Sequence, residues 1–342
     1  MIKGLTVRRQ EILNIIINEY VSRMSPVASE VIYRNYQLGI SPATIRHDMA
    51  QLEDEGYITR PHTSAGSIPS DKAYRYHVES LAEDIELPLD EQYLINNTFH
   101  EAGREFERWL KLAATLLSRL VRNAALVTLP EVKQQQFKRL ELVSLHDFLA
   151  LLVVVLNQTI VKRQFLAFNE PVTQEQLTSI ANKLNVTYSG LTSPDISAKK
   201  LGGDSKEELV TQAVMEIMTS RKEADYDEPY LAGLRLMLDQ PEFIHKARML
   251  NIMELMETKE WLKIVFSRRS GRGRVQVIIG EESKEEVLQD LSFVIGHYGI
   301  PNGSAGTIGV IGPTRMDYGR AISIVSYMSE VLSNLVAEVH QD

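Results

Sequence analysis

One predicted helix carries hydrogen-bonding side chains on the face opposite its apolar residues. Ile45, Met49 and Leu52 recur at helical spacing, so they share one face of a helix that begins near residue 42. The other face presents hydroxyl, guanidinium, imidazole and amide groups, which hydrogen-bond to base edges and phosphates. The candidate DNA-contacting residues on or beside this helix are Ser41, Ala43, Thr44, Arg46, His47 and Gln51.

The residues around this helix predict a helix-turn-helix with a wing. Ser41 is a favourable N-cap, the following proline suits the first helical turn, and Gly56 suits the end of the helix. Residues 57–60 have the aromatic and β-branched character of a short strand, and residues 61–69 are rich in turn formers. A recognition helix followed by a hairpin is typical of a winged helix that binds double-stranded DNA. The hairpin adds the candidate contacts Arg60, His62, Thr63 and Ser64.

Two earlier helices and one later helix complete a module of about 80 residues. They are predicted over residues 6–22, 27–36 and 71–81, with Thr6 as a cap and Met24-Ser25-Pro26 as a helix break. Basic side chains on these elements are candidate phosphate contacts, namely Arg8, Arg9, Lys72 and Arg75. The alternative is an ordinary helical domain whose polar face only contacts solvent.

The charge distribution predicts weak DNA binding by a single module. The chain of 342 residues has a formal net charge of −8, yet residues 1–80 contain nine basic and nine acidic side chains. The module is therefore neutral, and the rest of the chain accounts for the negative charge. Binding must then depend on local placement of arginines and on two linked modules acting together.

Composition argues against several other classes of protein. The chain contains no cysteine, which excludes disulfides and thiolate metal sites. No histidine has a metal-binding spacing, and no nucleophile is grouped with a base, so we expect no metal, no cofactor and no enzymatic activity. The N-terminus lacks a secretory apolar segment, and the longest apolar run, residues 148–156, is far shorter than the ~20 residues that span a bilayer. We therefore expect a cytoplasmic protein without membrane contact.

The remaining chain predicts an α+β domain with a helical interruption. Residues 82–90 read as a linker and residues 91–123 as one long amphipathic helix. The pattern then gives strands at 125–129, 137–145, 148–157 and 159–168, and a helix to about 184. A mainly helical region follows, with helices at 207–219, 229–238 and 243–256. Strands at 261–268, 275–279 and 307–311 and a helix at 318–339 close the chain.

Two long motifs resemble the HrcA family of bacterial heat-inducible transcription repressors. They are Ser-Pro-Ala-Thr-Ile-Arg-His-Asp-Met at 41–49, with its continuation through Pro-His-Thr-Ser-Ala-Gly at 61–66, and the C-terminal sequence of residues 306–318. The resemblance implies a winged helix (1–81) and a GAF-like domain (91–184 and 262–342) with an inserted dimerisation domain (185–261). It also implies a homodimer on an inverted-repeat operator of chaperone genes, kept active by a GroEL-type chaperonin. Two alternatives are a winged-helix regulator controlled by a small effector in the GAF-like domain, and an enzyme of unknown class with an accessory winged domain.

The sequence departs from the family pattern at three positions. Ser67 replaces an arginine of the wing, His47 an asparagine of the recognition helix, and Ala73 a glycine. The Ser67 change affects one expected phosphate or minor-groove contact. The His47 change affects base reading and can make it pH-dependent, because an imidazole titrates near neutral pH. In the C-terminal motif, Arg315 and Asp317 are candidates for a ligand contact, although an ion pair or a helix cap is the preferred interpretation.

Overall fold

The computed structural model describes residues 4–62, 65–81, 86–102, 105–132, 136–156, 160–199, 204–219, 229–244, 246–258, 261–262, 275–283, 285–300 and 304–339. The chain divides into two compact units. The first contains residues 1–130, 228–301 and 305–342, and the second contains residues 131–227 and 302–304. Within the first unit we call residues 4–81 the winged-helix module and the remainder the sheet domain.

The winged-helix module has the predicted order of elements. It comprises α1 (Val7–Arg23), α2 (Ser29–Asn35), α3 (Pro42–Asp54), β1 (Ile58–Thr59), β2 (Ile68–Pro69) and α4 (Asp71–Ser80). Thr6 caps α1 by accepting a hydrogen bond from the Arg9 amide at 3.4 Å, and Met24 ends this helix in a left-handed conformation with φ 54°. Fully buried Ile12, Ile32 and Leu52 bring the three helices onto one core. The predicted helix-turn-helix with a wing is confirmed.

The sheet domain is built on an antiparallel sheet with the strand order β8-β3-β11-β10-β9. Its strands are β3 (Ala124–Val127), β8 (Tyr230–Ala232), β9 (Val275–Ile279), β10 (Leu291–Gly299) and β11 (Ser304–Pro313). Its helices are α5 (Leu89–Glu101), α6 (Phe106–Val121), α10 (Leu234–Leu238), α11 (Lys246–Thr258) and α12 (Tyr318–Val339).

Helices cover both faces of this sheet. On one face, Val294, Ile308 and Val310 belong to the same core as α6, α12 and the winged-helix module. On the other face, Phe293 and Ile311 form a second core with apolar side chains that include Phe243, Ile252, Leu255 and Trp261. The predicted α+β class is confirmed.

Four predicted elements of the sheet domain need correction. The single helix over 91–123 is two helices, α5 and α6, and the sequence between them contains Gly103, a poor helix former. α5 begins inside the predicted linker, where Leu87 is buried. Residues 230–232 form a strand inside the helix predicted at 229–238, and residues 261–262 are helical where a strand was predicted. Residues 263–268 of that strand lie outside the described residues. β10 was not predicted at all.

The second unit contains a three-stranded antiparallel sheet covered on one side by helices. β4 (Glu131–Val132) precedes β5 (Phe137–His146), β6 (Leu149–Leu156) and β7 (Ile160–Ala167), and β6 pairs with both neighbours. The helices are α7 (Gln174–Tyr188), α8 (Ser193–Ala198) and α9 (Ser205–Thr219). This unit begins at residue 131, whereas the predicted insert begins at 185. β5, β6 and β7 belong to this unit because they form a sheet of their own and share a core with these helices.

Candidate nucleic-acid interface

The recognition helix α3 is fixed by its caps and by one buried face. The Ser41 hydroxyl accepts a hydrogen bond from the Thr44 amide at 3.2 Å, which satisfies one of the unpaired amides of the first turn. Gly56, with φ +76°, reverses the chain after the helix. Ile45, Met49 and Leu52 are at most 4% exposed. The helix therefore turns its opposite face outward.

Asp48 anchors this helix to α1, a role that the sequence analysis did not assign. Its carboxylate is 1% exposed and accepts hydrogen bonds from Arg8 Nε at 2.6 Å and Nη2 at 3.0 Å. The hydrogen bond and the charge of Asp48 raise the pKa of the Arg8 guanidinium. A signal was present in the sequence, because Asp48 stands between Ile45 and Met49 on the apolar face, where an acid needs a partner.

The outward face of α3 carries the predicted DNA-contacting residues. Ala43, Arg46 and His47 are exposed, and Thr44 and Gln51 are half-buried. Thr44 shares a hydrogen bond of 2.9 Å with the Ser41 hydroxyl. Within the described part of the chain, Arg46 and His47 have no hydrogen-bond or ion-pair partner. The guanidinium and the imidazole are therefore available to a ligand.

The wing lies directly after the recognition helix. β1 pairs with β2 in antiparallel register, and Ser67 forms a bridge with Val27 in which both backbone amides donate. A Cβ on Gly66 would come within 2.5 Å of the Val27 carbonyl carbon, so this close approach requires glycine. Ser67 is fully buried, as is Ala73 on α4, so neither departure from the family pattern offers a contact to DNA.

Two of the four predicted wing contacts lie among the described residues. Arg60 and His62 are exposed, and Arg60 Nη2 lies 3.1 Å from a carboxylate oxygen of Glu53. This ion pair keeps the guanidinium next to α3. Thr63 and Ser64 lie outside the described residues.

Three of the four candidate phosphate contacts face the α3 side of the module. Arg8 is paired with the buried Asp48, as described above. Arg9 Nη1 lies 2.6 Å from Glu55 Oε1, and Lys72 Nζ donates to the Glu55 carbonyl at 2.6 Å while lying 4.4 Å from the centre of the Tyr57 ring. Lys72 remains exposed, so its charge is accessible next to the wing.

The fourth candidate, Arg75, points away from α3 and towards the sheet domain. Its guanidinium donates to Glu282 Oε1 at 2.5 Å and to the Val277 carbonyl at 2.9 Å, both in the sheet domain. This geometry does not support the predicted phosphate contact, because the guanidinium faces the sheet domain and not α3 or the wing. Arg75 instead connects α4 to the sheet domain.

The C-terminal motif has a structural role in the described conformation. Asp317 caps α12 by accepting a hydrogen bond from the Arg320 amide at 3.0 Å. Arg315 is 8% exposed and forms an ion pair with Glu242. The preferred interpretation of these two residues, a cap and an ion pair, is confirmed.

Two features are absent from the described residues. Among them, no group of three or more histidine, aspartate or glutamate side chains could hold a metal ion. No helix in the described ranges is both long and apolar enough to cross a membrane.

Comparison with known proteins supplies the family context. The sequence model described as "HrcA protein C terminal domain" matches residues 107–322, and the one described as "DeoR-like helix-turn-helix domain" matches residues 35–71. A protein of Dehalococcoides mccartyi is 45% identical over 336 residues, covering 98% of this chain and 97% of that protein. One of Chloroflexus aggregans is 38% identical over 353 residues, covering 98% and 94%. Both are named heat-inducible transcription repressor HrcA.

A solved structure supports the fold. It is described as a hypothetical protein at 2.2 Å resolution, and it matches with a TM-score of 0.63 at 23% sequence identity. The match covers 98% of this chain and 99% of the other.

Proposed function

The chain belongs to the HrcA family of heat-inducible transcription repressors, and on this premise we propose that it represses chaperone genes as an operator-bound homodimer kept active by a GroEL-type chaperonin. The observation that carries the DNA-binding part is the outward face of α3, where Arg46 and His47 are exposed beside the wing. Two such helices related by a dyad read the two halves of an inverted repeat. The protein acts in the cytoplasm.

Each contact has a distinct role in this proposal. Arg46 and His47 reach base edges in the major groove, because they project from the face opposite the buried stripe. Lys72 and Arg9 contact phosphates, and Arg60 with His62 contacts the backbone or minor groove through the wing. A module without net charge gains little from nonspecific attraction. Useful affinity therefore depends on two modules held together.

A second copy of the chain covers one face of the sheet in the second unit. β6 alternates between buried and half-buried residues, so only one of its faces lies under the helices. On the other face, which we call the open sheet face, Leu151 lies between Val143, 46% exposed, and Phe165, 66% exposed. Apolar side chains left in water across three strands are typical of an interface.

Charge on this face favours a second copy as the partner. In the next row of the sheet, Val153 lies between Glu141 on β5 and Arg163 on β7. A two-fold axis through the face would bring the acid of one copy towards the arginine of the other, in addition to the ion pair of Glu141 with Arg139 on the same strand. We therefore assign dimerisation to strands 137–167, a region earlier in the chain than the predicted insert.

The same face gives the chaperonin a physical reason to act. A chain that has not yet dimerised exposes the apolar centre of β6 and its neighbours, and such surfaces associate nonspecifically at elevated temperature. Heat then removes active dimer, and a free chaperonin restores it. When unfolded proteins occupy the chaperonin, repression is lost.

The alternative of an effector pocket has less support. A binding pocket needs convergent polar groups. In the described part of the sheet domain, the sheet face that carries Phe293 and Ile311 is instead covered by apolar side chains, namely Phe243, Ile252, Leu255 and Trp261.

Operator binding across a temperature ramp tests the proposal. The probe is a DNA duplex selected from a random pool by the wild-type chain, and both affinity and light scattering are measured with and without chaperonin and ATP. We expect binding to fall as scattering rises, and chaperonin to preserve binding. A chain that stays soluble and binds reversibly, whether or not chaperonin is present, contradicts the feedback.

Phe165→Asp tests the dimer separately. The charge should make the chain monomeric in sedimentation while its circular dichroism spectrum is unchanged. Val186→Asp is the matched control, because Val186 is 87% exposed on α7, a helix that covers the other face of the sheet. A dimer that survives Phe165→Asp contradicts the assignment.

A further inference from the structure

Arg315 joins three parts of the first unit. Its guanidinium donates from Nη1 to the Val21 carbonyl at 2.9 Å and from Nη2 to Gln240 Oε1 at 3.0 Å. It also makes a two-point contact with the Glu242 carboxylate, in which Nη2 lies 3.2 Å from Oε2 and Nε donates to Oε1. The side chain is 9% exposed, so these contacts are largely shielded from water.

The contact with Val21 involves the end of a helix in the winged-helix module. Val21 lies in the last turn of α1, where carbonyl groups lack partners within the helix. A cation at the C-terminal end of a helix is also stabilised by the helix dipole. Arg315 therefore caps α1 from the sheet domain, although it lies 294 residues later in the sequence than Val21.

Movement of α1 would be transmitted to the recognition helix. Arg8 near the start of α1 is paired with the buried Asp48 of α3, and the two helices share one apolar core. The module thus behaves as one body, and its orientation depends on where α1 and α4 are held. Besides those of Arg315, the polar connections include Arg75 to Glu282 and the Glu281 amide to Asp71 Oδ2 at 3.0 Å.

The second connection is closely fitted. A Cβ on Gly280 would lie 2.1 Å from Asp71 Oδ2, so the Asp71 carboxylate can hold this position only because residue 280 is glycine. The polar contacts of the module with the sheet domain thus lie at two separate points, one at the end of α1 and one at the start of α4, beside the apolar core that the two parts share.

We propose that Arg315 is a positioning residue for operator binding, which sets the orientation of the recognition helix by fixing the end of α1 to the sheet domain. The inference rests on the proposed homodimer, because only a protein that contacts two half-sites at once requires a fixed orientation. Recognition helices of such dimers must lie about 34 Å apart, one turn of DNA, or at a multiple of that distance. A module whose orientation is less constrained binds one half-site normally but loses part of the advantage of the second.

The test compares a full operator with a half-site. The full operator is the duplex selected from a random pool, and the half-site is the same duplex with one arm scrambled. For Arg315→Gln we expect affinity for the full operator to fall by about tenfold to about a hundredfold, with affinity for the half-site unchanged. Arg235→Gln is the matched control, because Arg235 is an arginine on α10 whose side chain is 93% exposed. It should change neither affinity.

A second variant distinguishes loss of the Arg315 contact from loss of folding. Glu242→Gln keeps an oxygen that accepts from Arg315 but removes the charge, and it should cause a smaller loss in the same direction. Thermal melting and sedimentation verify that each variant is folded and dimeric. Gly280→Ala, which crowds the other connection, should also weaken only the full operator.

Several outcomes would overturn the inference. Wild-type affinity of Arg315→Gln for the full operator excludes a positioning role, and tighter binding means that the contact holds the module away from DNA. Equal losses on full and half sites mean that Arg315 only stabilises the module. A wild-type chain that is monomeric, or that binds both duplexes equally, instead contradicts the proposed dimer before any variant is compared.

Discussion

Replacing Arg46 by alanine tests the proposed docking of α3 most directly. Within the described residues, Arg46 is exposed and has no intramolecular partner. Its removal should therefore change the free energy of unfolding by less than about 0.5 kcal/mol, as for other surface substitutions. Any larger effect of the variant must then arise in the complex with DNA.

The expected loss of operator affinity follows from the geometry of the contact. A bidentate contact between an arginine and a guanine contributes about 1–3 kcal/mol of discrimination. The proposed homodimer makes this contact twice, so on that proposal the loss should be about 2–6 kcal/mol, or roughly 30-fold to roughly 10⁴-fold in the dissociation constant. A phosphate contact would give a smaller loss, similar for all sequences.

Fluorescence anisotropy with operators that differ at single base pairs separates these cases. For Arg46→Ala we expect one position in each half-site to lose its base preference. Arg119→Ala is the control, because Arg119 is an exposed arginine near the end of α6 in the sheet domain. Wild-type affinity of Arg46→Ala, or an equal loss from Arg119→Ala, would refute the docking.

Three further predictions concern charge, pH and the wing. Lys72→Ala should lower the slope of log affinity against log salt by about one per module, whereas Arg75→Ala should leave it unchanged, because Arg75 faces Glu282. Burial lowers the pKa of His77 from 6.5, against the opposing charge of Asp317. The unfolded chain then binds the proton more readily, so the free energy of unfolding should decrease as pH falls below 6.5. Urea denaturation at several pH values should show a weaker decrease for His77→Gln. Gly66→Ala should destabilise the wing, measured as faster amide exchange of β2, because the added Cβ meets the Val27 backbone.

Elements defined by neighbouring residues could be predicted from the sequence. Periodicity and caps gave α1, α3 and α12 almost residue for residue, because a helix is stabilised by contacts three and four residues apart. The hairpins of β5, β6 and β7 are equally local. The outward residues of α3 follow from the same periodicity, since burial of Ile45 and Leu52 leaves Arg46 and His47 outside.

Strands without a local signal were missed or misassigned. β10 pairs with β9 and β11 and is buried on both faces, so its sequence shows no alternation of polar and apolar residues. β8 has three residues and pairs with β3, more than 100 residues earlier. Such pairing depends on where the rest of the chain has folded.

The sequence by itself determined that the chain has a recognition helix and which of its side chains face outward. Only the tertiary structure decided which cations remain free for a ligand. Arg46 and Arg75 are both arginines on helices of the same module, yet Arg75 meets Glu282, which is 207 residues away. Arg315 likewise meets Val21 across 294 residues. Nothing in the spacing of nearby residues encodes these contacts, because they form only when the module docks on the sheet domain.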